Sequence, residues 1–399
     1  MKIRILTIPL LCVPLACATE RDGEPGPSTM TRDSAGIRII ENAKPPEESR
    51  LWQVAPGPAL SIGDREGDDA YMLYQVSDAT RLRDGRIVVA SSGDNEMRVF
   101  DASGTHVATW GGAGEGPGEF QYLELVEPWP GDSIIAWYGP RNGVLVFDSE
   151  GNLGRAFTLE PTVEHPIASV RAMAVIPGGT ILAGHHPHVL DPVVVEIRDA
   201  EGRLRSSLGE HPGDERHITP DGYRADPIYS ALAVQVPWGD LIVHNLNNRY
   251  EIRAFAQDGS LARIVRRDHV ARPPTQAEVD AYIEERASWH PVDLTPAQIE
   301  EHQAEVRQML QSVPVAEHIT AFSSVIVDRL DHLWVEEFEL PGQARPGSLW
   351  TVFDPGGRVL GFVETPDRLE IFEIGEDYIL GRSWDEMYVE YVQLWALER

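Results

Sequence analysis

The sequence predicts an all-β fold, a six-bladed β-propeller, from three observations. A turn motif repeats down the chain, its spacing of about 45 residues suits a four-stranded blade, and the two ends each carry part of one more blade. The motif reads VFDASG (99–104), VFDSEG (146–151), EIRDAEG (196–202), AFAQDG (254–259) and VFDPGG (352–357). Its glycines, Gly104, Gly151, Gly202, Gly259 and Gly357, lie 47, 51, 57 and 98 residues apart. Each is preceded by a tighter hairpin: RDGRIVV, PGDSIIA, PGGTILA, WGDLIVH and LDHLWVE. A unit therefore runs strand, tight turn, strand, loop, strand, Asp-x-x-Gly turn, strand. The 98-residue gap is one blade plus an insertion.

The sixth blade comes from both ends. The C-terminal IFEIGEDYILGRSWDEMYVEYVQLWAL supplies three strands, and RLWQVAPGPALSIG (50–63) is a strand with nothing else to pair with. Joining them closes the ring and removes its open edges. The propeller is thus expected over 50–399. The glycine-rich WGGAGEGPGEFQYL (110–123) is a loop of the first unit and not a phosphate cradle. It lacks G-x-G-x-x-G spacing, carries Glu115 and Glu119, and has Pro117 where an amide donor is needed.

Residues 272–314 break the β pattern. TQAEVDAYIEERAS opens with a Thr-x-x-Glu capping box, and Thr295-Pro296-Ala297-Gln298 opens a second helix. Val279, Tyr282 and Ile283 form one apolar stripe, and Ile299, Val306, Met309 and Leu310 another. A helical hairpin between blades 4 and 5 is expected to pack both stripes on the propeller.

The ends and the charge bound the function. Lys2 and Arg4 precede an apolar run of about fourteen residues, a secretory signal over 1–17. Leu15-Ala16-Cys17 resembles a bacterial lipoprotein signal with Cys17 as the lipid attachment, while Ala16-Cys17-Ala18 fits an ordinary cleavage. The chain is expected to be exported, as a periplasmic or outer-membrane lipoprotein or as a secreted protein, with 18–49 as a polar tether. Cys12 and Cys17 are the only cysteines, so neither cut leaves an internal disulfide. The net charge of −29 argues against nucleic acid and anionic lipid as partners, leaving membrane contact to the anchor.

SSGDNEMRVFDASG followed by GAGEGPGEF resembles an NHL repeat, and residues 50–399 resemble the bacterial six-bladed propeller proteins of that type. In a four-stranded meander the tight turns and Asp-x-x-Gly turns share one face. The long loops and the helical hairpin share the other, which is where function is expected. A protein, glycan or small-molecule ligand is the expected partner of that face.

Two constellations could carry chemistry. GHHPH (184–188) offers His185, His186 and His188 as metal ligands, with His211 and His217 in the next long loop. Aligning the innermost strands puts Ser77, Glu124, Arg171, Ala231, Ser323 and Leu369 in one register, with Asp78, Ser324 and Glu370 one residue on. Ser77, Asp78, Glu124, Arg171, Ser323 and Ser324 are then candidate ligand-binding residues of a central channel, and Glu124 with Arg171 also reads as an ion pair between blades. The resemblance to six-bladed lactonases implies a divalent metal held there by acids and asparagines; Glu124 and Asp78 match, and no asparagine does. The expectation is an exported binding scaffold at the cell envelope with no cofactor. The alternative is a metal-dependent hydrolase or lyase working in the channel.

Overall fold

A computed structural model describes residues 28–46, 48–139, 142–161, 170–185, 192–218, 222, 224–291, 294–343 and 345–399. The repeated turn shows why its residues recur. Asp101 Oδ1 accepts the amides of Ser103 and Thr105, both at 2.9 Å, and the Gly104 amide donates to the Asp101 carbonyl. Asp148, Asp199 and Asp354 repeat the same set of bonds. The closing glycine sits at a φ between 79° and 91° in all five turns, a conformation that a side chain would strain.

Between the turns the chain forms six antiparallel blades around a channel. Their innermost strands are Val76–Arg81, Leu123–Trp129, Arg171–Ile176, Ala233–Trp238, Phe322–Val327 and Glu370–Ile374. Apolar side chains of the middle strands interleave between neighbouring blades. Val88, Val99 and Met97 of blade 1 meet Ile134 and Phe147 of blade 2, and Trp334 and Trp350 of blade 5 meet Ile379 of blade 6. Blade 6 is completed from the other end of the chain: its last strand, Glu390–Glu398, pairs antiparallel with Leu60–Ile62 and Gln53–Val54.

The 18–49 tether needs correction where the structure describes it. Thr29–Ser34 and Ile37–Asn42 form a hairpin, and its second strand lies parallel to Leu261–Arg267, the outer strand of blade 4. Two buried isoleucines, Ile39 and Ile40, drive the docking. Asn42, also buried, fixes it: its Nδ2 donates to the carbonyls of Arg266 and Gly357, and its Oδ1 accepts the amide of Val359, each at 3.0 Å. The hairpin covers an outer edge that would otherwise be open.

Two helices follow blade 4, α1 (Gln276–Ser288) and α2 (Pro296–Ser312), each opened by a capping box. Val279, Ile283 and Ala287 of α1 are buried, the first two against Ile228, Tyr229 and Ile319. The second stripe is covered only in part: Ile299, Val306 and Leu310 are half-buried, and Leu310 packs into the cluster of Ile228, Tyr229 and Ile319. α2 buries none of its residues fully, Met309 is exposed, and α2 is held to α1 by Arg307 on Glu284 at 2.9 Å. Among the described residues no helix is long and apolar enough to cross a membrane.

Candidate functional site

The channel is walled by strand edges, and edge amides need acceptors. Side chains of adjacent blades supply them. Asp78 accepts the Ala79 amide on Oδ1 at 2.8 Å and the Val126 amide of blade 2 on Oδ2 at 2.9 Å. Glu127 of blade 2 accepts the Val175 amide of blade 3 at 2.9 Å. Glu373 of blade 6 accepts the Thr80 hydroxyl of blade 1 at 2.6 Å, along with Arg329 at 2.8 Å and the Tyr378 hydroxyl. At the other end of the inner strands Glu390 takes the Val76 amide, Asn95 that of Leu123, and Asp214 that of Ala233. The acids of the channel thus lace one blade to the next.

Proximity and enclosure shift their protonation. Burial pushes Asp78 well above the usual carboxylate range, and the charges of Glu127 and Glu373 add to it against two amide bonds. Burial raises Glu127 to about 8, with Glu373 contributing. By surface area Glu127 is half-buried, but the channel wall encloses its carboxyl.

Of the sequence-predicted ring, Ser77, Glu124, Ser323 and Ser324 fall at β-bulges, where the inner strand carries an extra residue that is aimed away from the ladder. Arg171 donates to Glu124 across blades 2 and 3, both half-buried, and Gly139 leaves the room that the Glu124 carboxylate occupies. Ser77 donates to the Leu123 carbonyl at 3.2 Å and Ser324 to Glu336 at 2.8 Å. Ala231 and Leu369 are out of register. Ala231 precedes its strand, and Leu369 is buried in the core between blades 5 and 6. Glu370 is exposed and pairs with Arg382.

His185 is buried beside blade 3, its amide bonded to the Val194 carbonyl at 3.1 Å, and His186 and His188 lie outside the described residues, as does Cys17. His211 packs instead on His244, with ring centroids 4.5 Å apart, and on Phe255. His244 was hidden in the sequence inside the apolar run WGDLIVH. Burial holds it near 3, with His211 adding to the effect. Among the described residues no three of His, Cys, Asp and Glu stand where they could share a metal ion.

The surface adds two features that sequence reasoning missed. On the loop face Tyr74, Tyr122, Met387 and Tyr388 are 58%, 69%, 53% and 54% exposed, a concentration of large apolar side chains over blades 6, 1 and 2. Tyr122 and Tyr388 are held at φ values of 59° and 60°, strained for a residue with a side chain. On the opposite face, cavities of about 690 and 730 Å³ open at the tight turns and along the channel, sharing Arg83, Glu127 and Arg329.

No protein-family model matches the chain, and no curated protein matches it significantly. Solved structures do. The "Putative exported protein" of Bacteroides fragilis superposes with a TM-score of 0.50 at 12% identity, over 90% of this chain and 99% of that one. A member of the DUF4221 family from Bacteroides vulgatus gives 0.51 at 9% identity, over 88% and 100%. A gluconolactonase of Xanthomonas campestris gives 0.40 at 12% identity, over 86% and 99%. At such identities the likeness concerns fold alone, and the chain is a six-bladed β-propeller.

Proposed function

We propose that the protein is an exported binding scaffold of the cell envelope, and that its partner docks on the loop face of blades 6, 1 and 2. The observation that carries this is the exposed Tyr74, Tyr122 and Tyr388 group, two of whose members are held on left-handed backbone. Exposed aromatic side chains grouped on a rigid scaffold mark recognition surfaces, and strain retained in a well-packed fold points to a use. Gln53–Val54 and Leu60–Ile62 pair onto blade 6 and brace the blade beneath that face. Export rests on the signal over 1–17 and agrees with the name of the Bacteroides fragilis neighbour; anchoring through Cys17 and kinship with NHL propellers rest on sequence.

The metal-dependent hydrolase is less well supported. It asks Asp78 and Glu124 to hold an ion, whereas Asp78 is spent on two backbone amides and Glu124 on Arg171. The docking surface is tested by placing a photo-crosslinking amino acid at Tyr122, at Tyr388 and, as a control, at Arg203 on an Asp-x-x-Gly turn. Irradiation in cells is expected to give one adduct of the same mass from the first two and none from the third. Equal labelling at all three, or labelling at Arg203 alone, contradicts the reading.

A further inference from the structure

The cavity at the tight turns of blades 1, 2 and 3 holds an uncommon group for so acidic a chain: a set of arginines, one of which has no ion pair among the described residues. Arg83 pairs with Asp132 at 2.9 Å, Arg86 with Asp84 at 2.7 Å, and Arg329 with Glu373 at 2.8 Å. The Arg81 guanidinium has neither an ion pair nor a hydrogen bond among the described residues. It lies over the Tyr378 ring, 4.7 Å from the centroid, half-buried at the cavity wall. Stacking on a ring face leaves the N–H edge of the fork open, and a half-buried charge is costly to leave uncompensated.

The walls favour a particular occupant. A volume of about 690 Å³ suits a small organic molecule, and Pro128, Trp129, Pro130 and Pro177 give the cavity apolar sides. One unmatched positive charge calls for one negative charge. A planar fork open on one edge is matched by a planar carboxylate accepting two N–H bonds, better than by a tetrahedral phosphate of higher charge. Glu127 lies at the back of the same cavity, and with its raised pKa of about 8 it is protonated at neutral pH, so it adds a donor and no opposing charge.

We infer that this tight-turn cavity binds a small carboxylate-bearing molecule with a ring or other apolar body, with Arg81 as its anchor and Arg83 and Arg329 beside it. The site lies on the face opposite the tyrosines and does not depend on their role, so cross-linking at Tyr122 can fail while this inference stands.

The test is calorimetric titration of the purified protein with benzoate, benzyl alcohol and inorganic phosphate, on wild type and on Arg81→Ala, Arg81→Lys and Arg203→Ala. Benzoate is expected to bind wild type and Arg203→Ala with a Kd of about 1 mM. Arg81→Ala should weaken it by about tenfold or more, and Arg81→Lys, which keeps the charge and loses the fork, by less. Benzyl alcohol, which keeps the ring and lacks the charge, should bind at least about tenfold more weakly than benzoate. The inference is overturned if benzoate fails to bind wild type, if phosphate binds more tightly than benzoate, or if Arg81→Ala, shown by thermal melting to be folded, binds as wild type does.

Discussion

Two buried groups pull the protein's stability in opposite directions with pH. Glu127 has a folded pKa of about 8, above its unfolded value, so its contribution is present at low pH and is lost as the pH rises from about 4.5 through 8. His244, held near 3, does the reverse: the unfolded chain takes up its proton first, so stability falls as the pH drops below about 6.5. The two windows overlap from about pH 4.5 to 6.5, where the opposing slopes cancel, so melting temperatures measured from pH 4 to 9 are expected to plateau there and to fall on either side. Glu127→Gln should flatten the alkaline fall alone and His244→Gln the acid fall alone. An unchanged alkaline limb in Glu127→Gln would show that Glu127 is ionised in the folded state. At Tyr122 the conformation and the function come apart. Tyr122→Gly removes backbone strain of about 1 kcal/mol, so it should melt no lower than wild type while losing the adduct seen at Tyr388. A lower melting temperature would mean that the tyrosine ring serves packing.

Among the elements, the N-terminal hairpin makes the sharpest prediction. Asn42→Ala leaves the Val359 amide and the Gly357 carbonyl buried without their partner, a cost of about 1–3 kcal/mol, or several degrees in melting temperature. A neutral effect would mean that the hairpin is not seated on blade 4 in solution. The clamp between blades 4 and 5 should be more sensitive. Arg267 is buried against Glu337 at 2.7 Å and against the Tyr250 ring, so Glu337→Ala strands a buried charge at about 3–5 kcal/mol. Denaturant unfolding measures that difference directly. These elements also divide what the sequence makes legible from what it hides. The Asp-x-x-Gly turns are legible because both of their causes, a short acceptor side chain and a left-handed glycine, lie within six residues. The hairpin over 29–42 was hidden because its pattern is mostly polar and its partner strand, Leu261–Arg267, lies far along the chain. α2 misled in part: its apolar spacing is real, yet Leu310 is the member of its stripe that packs into the cluster of Ile228, Tyr229 and Ile319, Met309 stays exposed, and Arg307 ties the helix to α1.

For the molecule as a whole, the polar residues of the channel lace neighbouring blades together, and the two faces carry the proposed recognition surfaces. Ser77, Glu124, Ser323 and Ser324 could be picked from sequence because inner strands align on their turns. Their bonds could not, because bulges set the direction of each side chain. Arg81 gave no pattern at all; only the turns of three blades brought together make its cavity. The measurement that tests this division most directly is elemental analysis of the purified protein after dialysis without chelator, paired with thermal melting, on wild type and on Glu124→Ala. A channel that is structural predicts no stoichiometric metal in either protein and a lower melting temperature in Glu124→Ala, since Arg171 loses its partner. About one metal ion per chain in wild type, lost in a Glu124→Ala protein that melts as before, would contradict it and make the channel a metal site.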